Sequence, residues 1–276
     1  MNIHNAGPKR LNECLIDAIN DFGKGITGIR TGFKLLDEAT LGFQKSELII
    51  VAARPSVGKT SLLIDMMLNA AKTNPVALFS LEMSETAIAQ RTIANEAGFS
   101  LHRARLTGLT ETEQAIMSIK LAEILNREIY IDDLSSLSPG LLAERLKKIK
   151  IDCAFIDYIQ LMRLTEKKES RAEELGIITK GLKAVAKQAK IPIVLGCQIN
   201  RTADDGKNSE PRLSQLKSSG AIEEDADVVI LIHRPNFNKC SSDGYEDAYL
   251  IIAKNRNGPR CKLKVEFNTA AMTFKE

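Results

Sequence analysis

Leu48-Ile-Ile-Val-Ala-Ala-Arg-Pro-Ser-Val-Gly-Lys-Thr-Ser61 is the stretch that decides the fold. Six small or apolar residues, Leu48 to Ala53, read as a buried strand, and Gly58-Lys59-Thr60 closes a tight loop behind it. Leu62, Leu63, Met66, Met67 and Ala70 then recur at helical spacing. Strand, loop and helix in this order make a P-loop, in which backbone N–H groups and the helix dipole face nucleotide phosphates. The candidate cradle is Ala53, Arg54, Pro55, Ser56, Val57, Gly58, Lys59, Thr60 and Ser61. Lys59 is placed to reach the β- and γ-phosphates, and the Thr60 hydroxyl to take a Mg²⁺ position. Ala53 stands where the usual pattern has its first glycine, so the match is imperfect there. A chance Gly-Lys-Thr ahead of a helix is the bland alternative, and the strand before it argues against that.

Outward from this segment the chain alternates between β and α patterns from about Thr27. Apolar strand candidates are Leu48–Ala53, Val76–Leu81, Ile129–Ile131, Cys153–Ile156, Pro192–Gly196, Val228–Ile232 and Ala248–Ala253, with an alternating run at Leu263–Phe267. Ser84 is positioned to cap a helix at Glu85–Ala97, Thr110 and Glu113 have capping-box spacing, and Ser138-Pro139 starts another helix. A long basic helix is expected from about Glu169 to Lys190. Buried strands interleaved with helices predict an α/β fold: a mainly parallel central sheet flanked by helices on both faces. The late strands are less interleaved, so antiparallel strands are expected at the C-terminal edge. The polar stretches Leu164–Arg171, Asn200–Pro211 and Asn236–Asp247 read as exposed loops. Ahead of all this, Leu11, Leu15, Ala18, Ile19 and Phe22 give a one-faced helix, broken by Gly23-Lys24-Gly25. That face packs either on its own domain or on a neighbouring subunit.

A phosphate cradle hydrolyses nothing alone. It needs a carboxylate for the metal, a group for water, and positive charge on the transition state. Three strands end in suitable side chains. Cys153-Ala-Phe-Ile-Asp157 presents Asp157 as the Mg²⁺ ligand, direct or through water, or as a simple cap on the next segment. Leu78-Phe79-Ser80-Leu81-Glu82 presents Glu82 as a general base, on a strand that usually neighbours the P-loop strand. Its alternative is a carboxylate answering the dipole of the following helix. Pro192-Ile-Val-Leu-Gly-Cys-Gln198 presents Gln198 as an uncharged γ-phosphate sensor, or as an exposed amide, with Asn200-Arg201 opening the loop behind it. Lys254-Asn-Arg-Asn-Gly258 is a solvated turn or a source of an arginine finger through Arg256.

Composition excludes other classes. The 276 residues are 44% hydrophobic and 26% charged, enough for an ample core. A net charge of +3 permits a nucleic-acid partner without arguing for one. Trp is absent and aromatics are 5%, which disfavours a base-stacking platform. Cys14, Cys153, Cys197, Cys240 and Cys261 form no Cys-x-x-Cys pair, so neither a disulfide framework nor a zinc site is expected, in keeping with a reducing compartment. No apolar run reaches membrane-spanning length, and the polar N-terminus is no signal peptide.

Six motifs in order and spacing resemble the DnaB-type replicative helicases: Ala53–Thr60, Ser80-Leu-Glu-Met-Ser84, Ile156-Asp-Tyr-Ile-Gln-Leu161, Gln198-Ile-Asn-Arg201, Ala221-Ile-Glu-Glu-Asp-Ala-Asp227 and Lys254–Gly258. The similarity is to the C-terminal RecA-like motor domain of that family. It implies a linker helix region at 1–25, docking on a neighbouring subunit, and a motor at 26–276. It implies ATP hydrolysis with Mg²⁺ at the subunit interfaces of a homo-hexamer that moves on single-stranded DNA. By resemblance, Lys59 and Thr60 act on phosphate and Mg²⁺, Glu82 on water, Asp157 on the metal and Gln198 on the γ-phosphate. Arg256, helped by Lys254, comes from the next subunit, and Arg91 lies near the nucleotide. Arg201 with Lys217, Ser218, Ser219 and Gly220 corresponds to the DNA-contacting segments. Lys217 stands where the family has Arg, and Ser218 where it has Glu, so phosphate binding is expected with altered strength. Family members carry an N-terminal helical domain before the linker that binds primase, and none is expected in this sequence. The isolated chain is therefore expected to be monomeric or weakly hexameric, with primase and a helicase loader as partners in a full-length context. The implied setting is the cytoplasm of a bacterial, phage or plasmid replication system. A recombinase-like or accessory ATPase ring without unwinding activity is the alternative of the same fold.

Overall fold

A computed structural model describes residues 8, 10–164, 166, 168–199, 209–237 and 244–276. In chain order the elements are α1 (Leu11–Asp21), α2 (Lys34–Thr40), β1 (Leu48–Ala53), α3 (Lys59–Ala70), β2 (Val76–Ser80), α4 (Glu85–Ala97), α5 (Leu101–Thr107), α6 (Glu111–Leu125) and β3 (Ile129–Asp132). They continue with α7 (Pro139–Leu146), β4 (Cys153–Asp157), α8 (Arg171–Ala189), β5 (Ile193–Gln198), α9 (Gly220–Asp225), β6 (Val228–His233), β7 (Tyr245–Asn255), β8 (Lys262–Asn268) and β9 (Thr273–Lys275).

The strands form one sheet in the order β3-β2-β4-β5-β1-β6-β7-β8-β9. The first six run parallel, and β7, β8 and β9 are antiparallel. Every residue of β1 is buried, as a central strand covered on both faces requires. Its side chains alternate between two cores. Ile49, Val51 and Ala53 pack with α2 and α3, whereas Leu48, Ile50 and Ala52 pack with α7, α8 and α9. The chain's sequence thus places helices on both faces of the sheet.

The helix starts follow their side chains. The Ser84 hydroxyl accepts from the Ala87 N–H, Thr110 and Glu113 form a reciprocal capping box, and Ser138 caps α7 with Pro139 at its first position. Two expectations need correction. The strand after the P-loop helix does not neighbour the P-loop strand: β4 and β5 intervene between β2 and β1, so Glu82 approaches from beyond them. The stretch Asn236–Asp247 is not loop throughout, because β7 begins at Tyr245 and Glu246 is buried. The short elements α2, α5 and β9 carry no legible period and join the fold through tertiary contacts. Among the described residues no helix is long and apolar enough to cross a membrane.

Candidate nucleotide site

The cradle sits at the carboxyl end of β1. Ala53 is 1% exposed and ends the strand with ordinary backbone geometry, so its methyl group costs nothing there. The conformational demand falls instead on Ser56, at φ +63°, and on Gly58, at φ +112°. A Cβ on Gly58 would also lie 2.9 Å from Phe274 Cζ, so the P-loop rests on the ring of the last strand. The Gly58 carbonyl accepts from the Leu62 N–H and opens α3. The N–H groups just before Leu62 then have no intrahelical acceptor and are free for an anion.

Lys59 forms an ion pair with Asp157, and the Thr60 hydroxyl donates to the other oxygen of that carboxylate at 2.6 Å. Lys59 Nζ also lies 4.3 Å above the Tyr158 ring. The contact between Lys59 and Asp157 crosses over β5, and Gly196 makes it possible. A Cβ at Gly196 would stand 3.1 Å from Asp157 Oδ1 and from Leu63. The carboxylate and hydroxyl are hard oxygen donors of the kind Mg²⁺ takes alongside phosphate oxygens and water. No cluster of three or more His, Cys, Asp or Glu side chains suited to a metal occurs among the described residues. The donor set therefore fits an ion that arrives with phosphate and does not fit a self-sufficient metal cage.

Glu82 is exposed, two residues beyond the end of β2. Ser80, paired with Asp157 across the sheet, holds that turn from inside: its hydroxyl donates to the Met83 carbonyl at 2.7 Å and accepts from the Met83 N–H at 3.2 Å. The Leu81 N–H adds a bond to the Asp157 carbonyl at 2.9 Å. The Tyr158 hydroxyl has its pKa raised by burial first, then by the charges of Glu82 and Asp157. Both carboxylates thus act electrostatically on one ring beside Lys59.

Gln198 is opposite Ala53, in the strand directly beside the P-loop. Its backbone is gripped by Gln160, which lies in the Ile156–Leu161 motif but has no assigned role there. The Gln160 amide accepts from the Gln198 N–H at 3.0 Å and donates to the Gln198 carbonyl at 2.8 Å, so it extends the β4–β5 ladder by side chain. Arg54 is buried and donates to Ser209 at 2.9 Å. Arg91 is half-buried on α4, one turn before Asn95, which bonds Asp65 of α3.

Lys254 and Arg256 are not brought to this cluster. Asn255 pairs with Val228, which pairs with Ile49, four residues back from Ala53. That is about 13 Å along the strand, toward the opposite end of the sheet. Lys254 there donates to the carbonyls of Glu223 and Glu224 at the end of α9. Burial, and then Arg256, lowers its pKa. Arg256 donates to the Glu224 carbonyl at 2.7 Å. Lys217, Ser218 and Ser219 close a 3-10 turn at Leu213–Ser219, and Gly220 starts α9. The side chains of these residues and all of Arg201 lie outside the described residues.

The chain matches the family model described as the DnaB-like helicase C terminal domain over residues 28–276. It is 36% identical to the replicative DNA helicase DnaB of Buchnera aphidicola subsp. Acyrthosiphon pisum (strain APS), over 95% of this chain and 61% of that protein. It is also 36% identical to the replicative DNA helicase DnaB of Geobacillus stearothermophilus, over 91% and 57%. The chain thus spans about three fifths of the length of these relatives. Among solved structures it superposes on an isolated ATPase domain with a TM-score of 0.89 and 26% identity, over 98% of this chain and 99% of that one. A DnaB-like replicative helicase, solved for its interactions with primase, gives 0.86 and 26%, over 98% and 67%.

Proposed function

The chain belongs to the family of DnaB-like helicase C-terminal domains, and from that premise we propose that it is the ATP-driven motor of a replicative DNA helicase. The observation that carries this reading is the split between the two ends of the sheet. Lys59, Thr60 and Asp157 converge at one end, while Lys254 and Arg256 stand at the other. A phosphoryl-transfer site needs both halves. One chain cannot join them across its own sheet, so a ring in which each protomer lends its cations to the next completes the site.

In such a site the cradle Ala53–Ser61 holds the phosphates, and Arg91 stands close to the nucleotide. Mg²⁺–ATP supplies the transferable phosphoryl group and the metal charge. Lys59 leaves Asp157 and turns to the phosphates, which frees a carboxylate oxygen beside Thr60 for the metal. Glu82 takes the proton of the attacking water. Gln198 senses the γ-phosphate through an uncharged amide, and Arg256 with Lys254 of the neighbouring protomer offsets the developing charge. Arg201, Lys217, Ser218, Ser219 and Gly220 are the candidate contacts for single-stranded DNA, positioned by phosphate charge and not by sequence.

Residues 1–25 act as a linker and 26–276 as the motor in this reading. Leu11, Leu15, Ile19 and Phe22 of the linker are 74, 46, 61 and 81% exposed, an apolar stripe that supports docking on a neighbouring protomer to make a homo-hexamer. Primase is a partner by analogy with the relative solved for that interaction, and a helicase loader is a partner by family resemblance alone. The bacterial sources of the relatives support a cytoplasmic role in replication. The test is ATP turnover with and without single-stranded DNA, alongside native mass measurement with a non-hydrolysable triphosphate. Assembled rings that turn over no ATP on DNA would end the proposal.

A further inference from the structure

Arg234 follows β6 directly, is 7% exposed, and has no part in the hydrolysis described above. Its guanidinium makes three directed bonds. Nη1 donates to the Val57 carbonyl in the P-loop at 3.2 Å. Nε and Nη2 donate to one oxygen of Glu246 on β7, at 3.2 and 2.7 Å. The guanidinium carbon lies 3.8 Å from the ring centre of Phe267 and 5.0 Å from that of Phe237. Burial lowers its pKa, and Glu246 opposes that shift.

A buried ion pair is a poor source of stability, since well-packed apolar side chains of similar volume often do as well or better. This pair has a more specific consequence through Val57. A trans peptide points its C=O and the following N–H in opposite directions. Fixing the Val57 carbonyl on Arg234 therefore fixes the Gly58 N–H on the other side, where the cradle needs a phosphate donor. The peptide between Val57 and Gly58 is also free to turn over, because Gly58 carries no Cβ to restrict it. Phe267 and Phe274 tie the two contacts together. They meet at 4.7 Å, Phe267 carries the guanidinium, and both border the position a Gly58 Cβ would occupy.

We propose that Arg234, neutralised by Glu246, is a positioning residue of the phosphate cradle: it holds the Val57 carbonyl outward and so keeps the Gly58 N–H turned toward the phosphates. The role rests on the nucleotide reading of the P-loop. Because Glu246 cancels the charge, Arg234 acts through peptide orientation and not as an added cation. Its effect belongs to phosphate affinity.

The test is titration of the full chain with a fluorescent ATP analogue, with inorganic tripolyphosphate as competitor and a thermal unfolding scan on each variant. Arg234→Met is expected to weaken both ligands by the same factor, about tenfold or more, as expected for a lost charged hydrogen bond. Arg234→Lys should recover part of that loss. Wild-type affinity in a folded Arg234→Met chain overturns the positioning role, whatever its unfolding temperature. If Arg234→Met leaves Glu246 unpaired and does not fold, the double variant Arg234→Met with Glu246→Met removes the pair together. Wild-type affinity in that chain overturns the role equally, and weakened affinity supports it. A wild-type chain that binds neither ligand brings down the nucleotide reading itself, and the positioning role with it.

Discussion

Arg256 lies against Asp227, its guanidinium 3.4 Å from a carboxylate that already holds Lys183 and the Leu48 N–H. Asp227 is 7% exposed in its side chain and Arg256 is 47% exposed, so the arginine is the loosest of the three partners. Its backbone N–H is anchored on the Asp227 carbonyl at 3.0 Å, and its half-exposed guanidinium has only Asp227 and the Glu224 carbonyl to leave if it is to reach into another protomer. Arg256→Ala should therefore lower DNA-stimulated ATP turnover by about 10³-fold or more while leaving ATP binding nearly intact. Mixing Arg256→Ala protomers with Glu82→Gln protomers should restore a fraction of turnover through interfaces that carry both native groups. Mixed rings that stay inactive at every ratio would exclude a shared site.

Asp157 serves two donors at once, and a variant of it and a variant of Lys59 should part company. Lys59→Ala removes phosphate charge, so ATP affinity and turnover fall together. Asp157→Asn keeps the shape of the side chain but loses the metal charge. Binding measured at low Mg²⁺ should match wild type, whereas added Mg²⁺ should no longer tighten it. A Mg²⁺ titration of nucleotide affinity in both variants checks the pair, and an undiminished Mg²⁺ response in Asp157→Asn would remove Asp157 from the metal site.

Gly58→Ala meets two obstacles, the left-handed backbone and the ring of Phe274. The backbone strain alone costs about 1–3 kcal/mol. Adding Phe274→Ala clears the steric clash but not the strain. The double variant should therefore bind nucleotide better than Gly58→Ala alone and worse than Phe274→Ala alone. Equal affinity in all three chains would show that the last strand does not shape the loop.

Asp65, on the P-loop helix, is buried between α4 and β9. It accepts from Asn95 and, at 2.7 Å, from the Phe274 N–H. Burial pushes its carboxyl up from 3.8 to about 7, against the lowering effect of those two bonds. The folded chain thus holds this proton more tightly than the unfolded one. Its contribution to stability is full below pH about 4 and is lost as pH rises through about 7. Asp65→Asn should flatten that decline, so the urea midpoint of the variant changes less than wild type between pH 5 and pH 8. An identical slope in the two chains would sink the assignment.

Much of the fold is legible because its signals are local. The strand β1, the Ser84 and Ser138 caps and the Thr110–Glu113 box each lie within a few residues. Lys59, Thr60 and Asp157 are legible for the same reason, since each closes a strand or opens a helix. Strand order is not legible locally: placing β4 and β5 between β2 and β1 is decided by crossovers, and no period encodes them. The partners of residues that support the site escape the sequence on similar grounds, even where the residue itself, like Gln160, lies in a quoted motif. Arg234 meets Val57 across 177 positions, Asp65 meets Phe274 across 209, and Gln160 grips Gln198 across 38. One signal was available for Arg234: it ends an apolar strand in a charged group, as Asp157 does.

The order of the sheet has a consequence for how such molecules can hold one another. Its edge strands are the shortest of all, four residues in β3 and three in β9. Neither offers enough free backbone to template a neighbour's strand. A shared ladder would also lock two chains in register, because a slip of one residue turns every side chain to the wrong face. Contacts between such molecules are therefore left to side-chain surfaces. These can shear between alternative packings, which is the freedom a machine with moving neighbours requires.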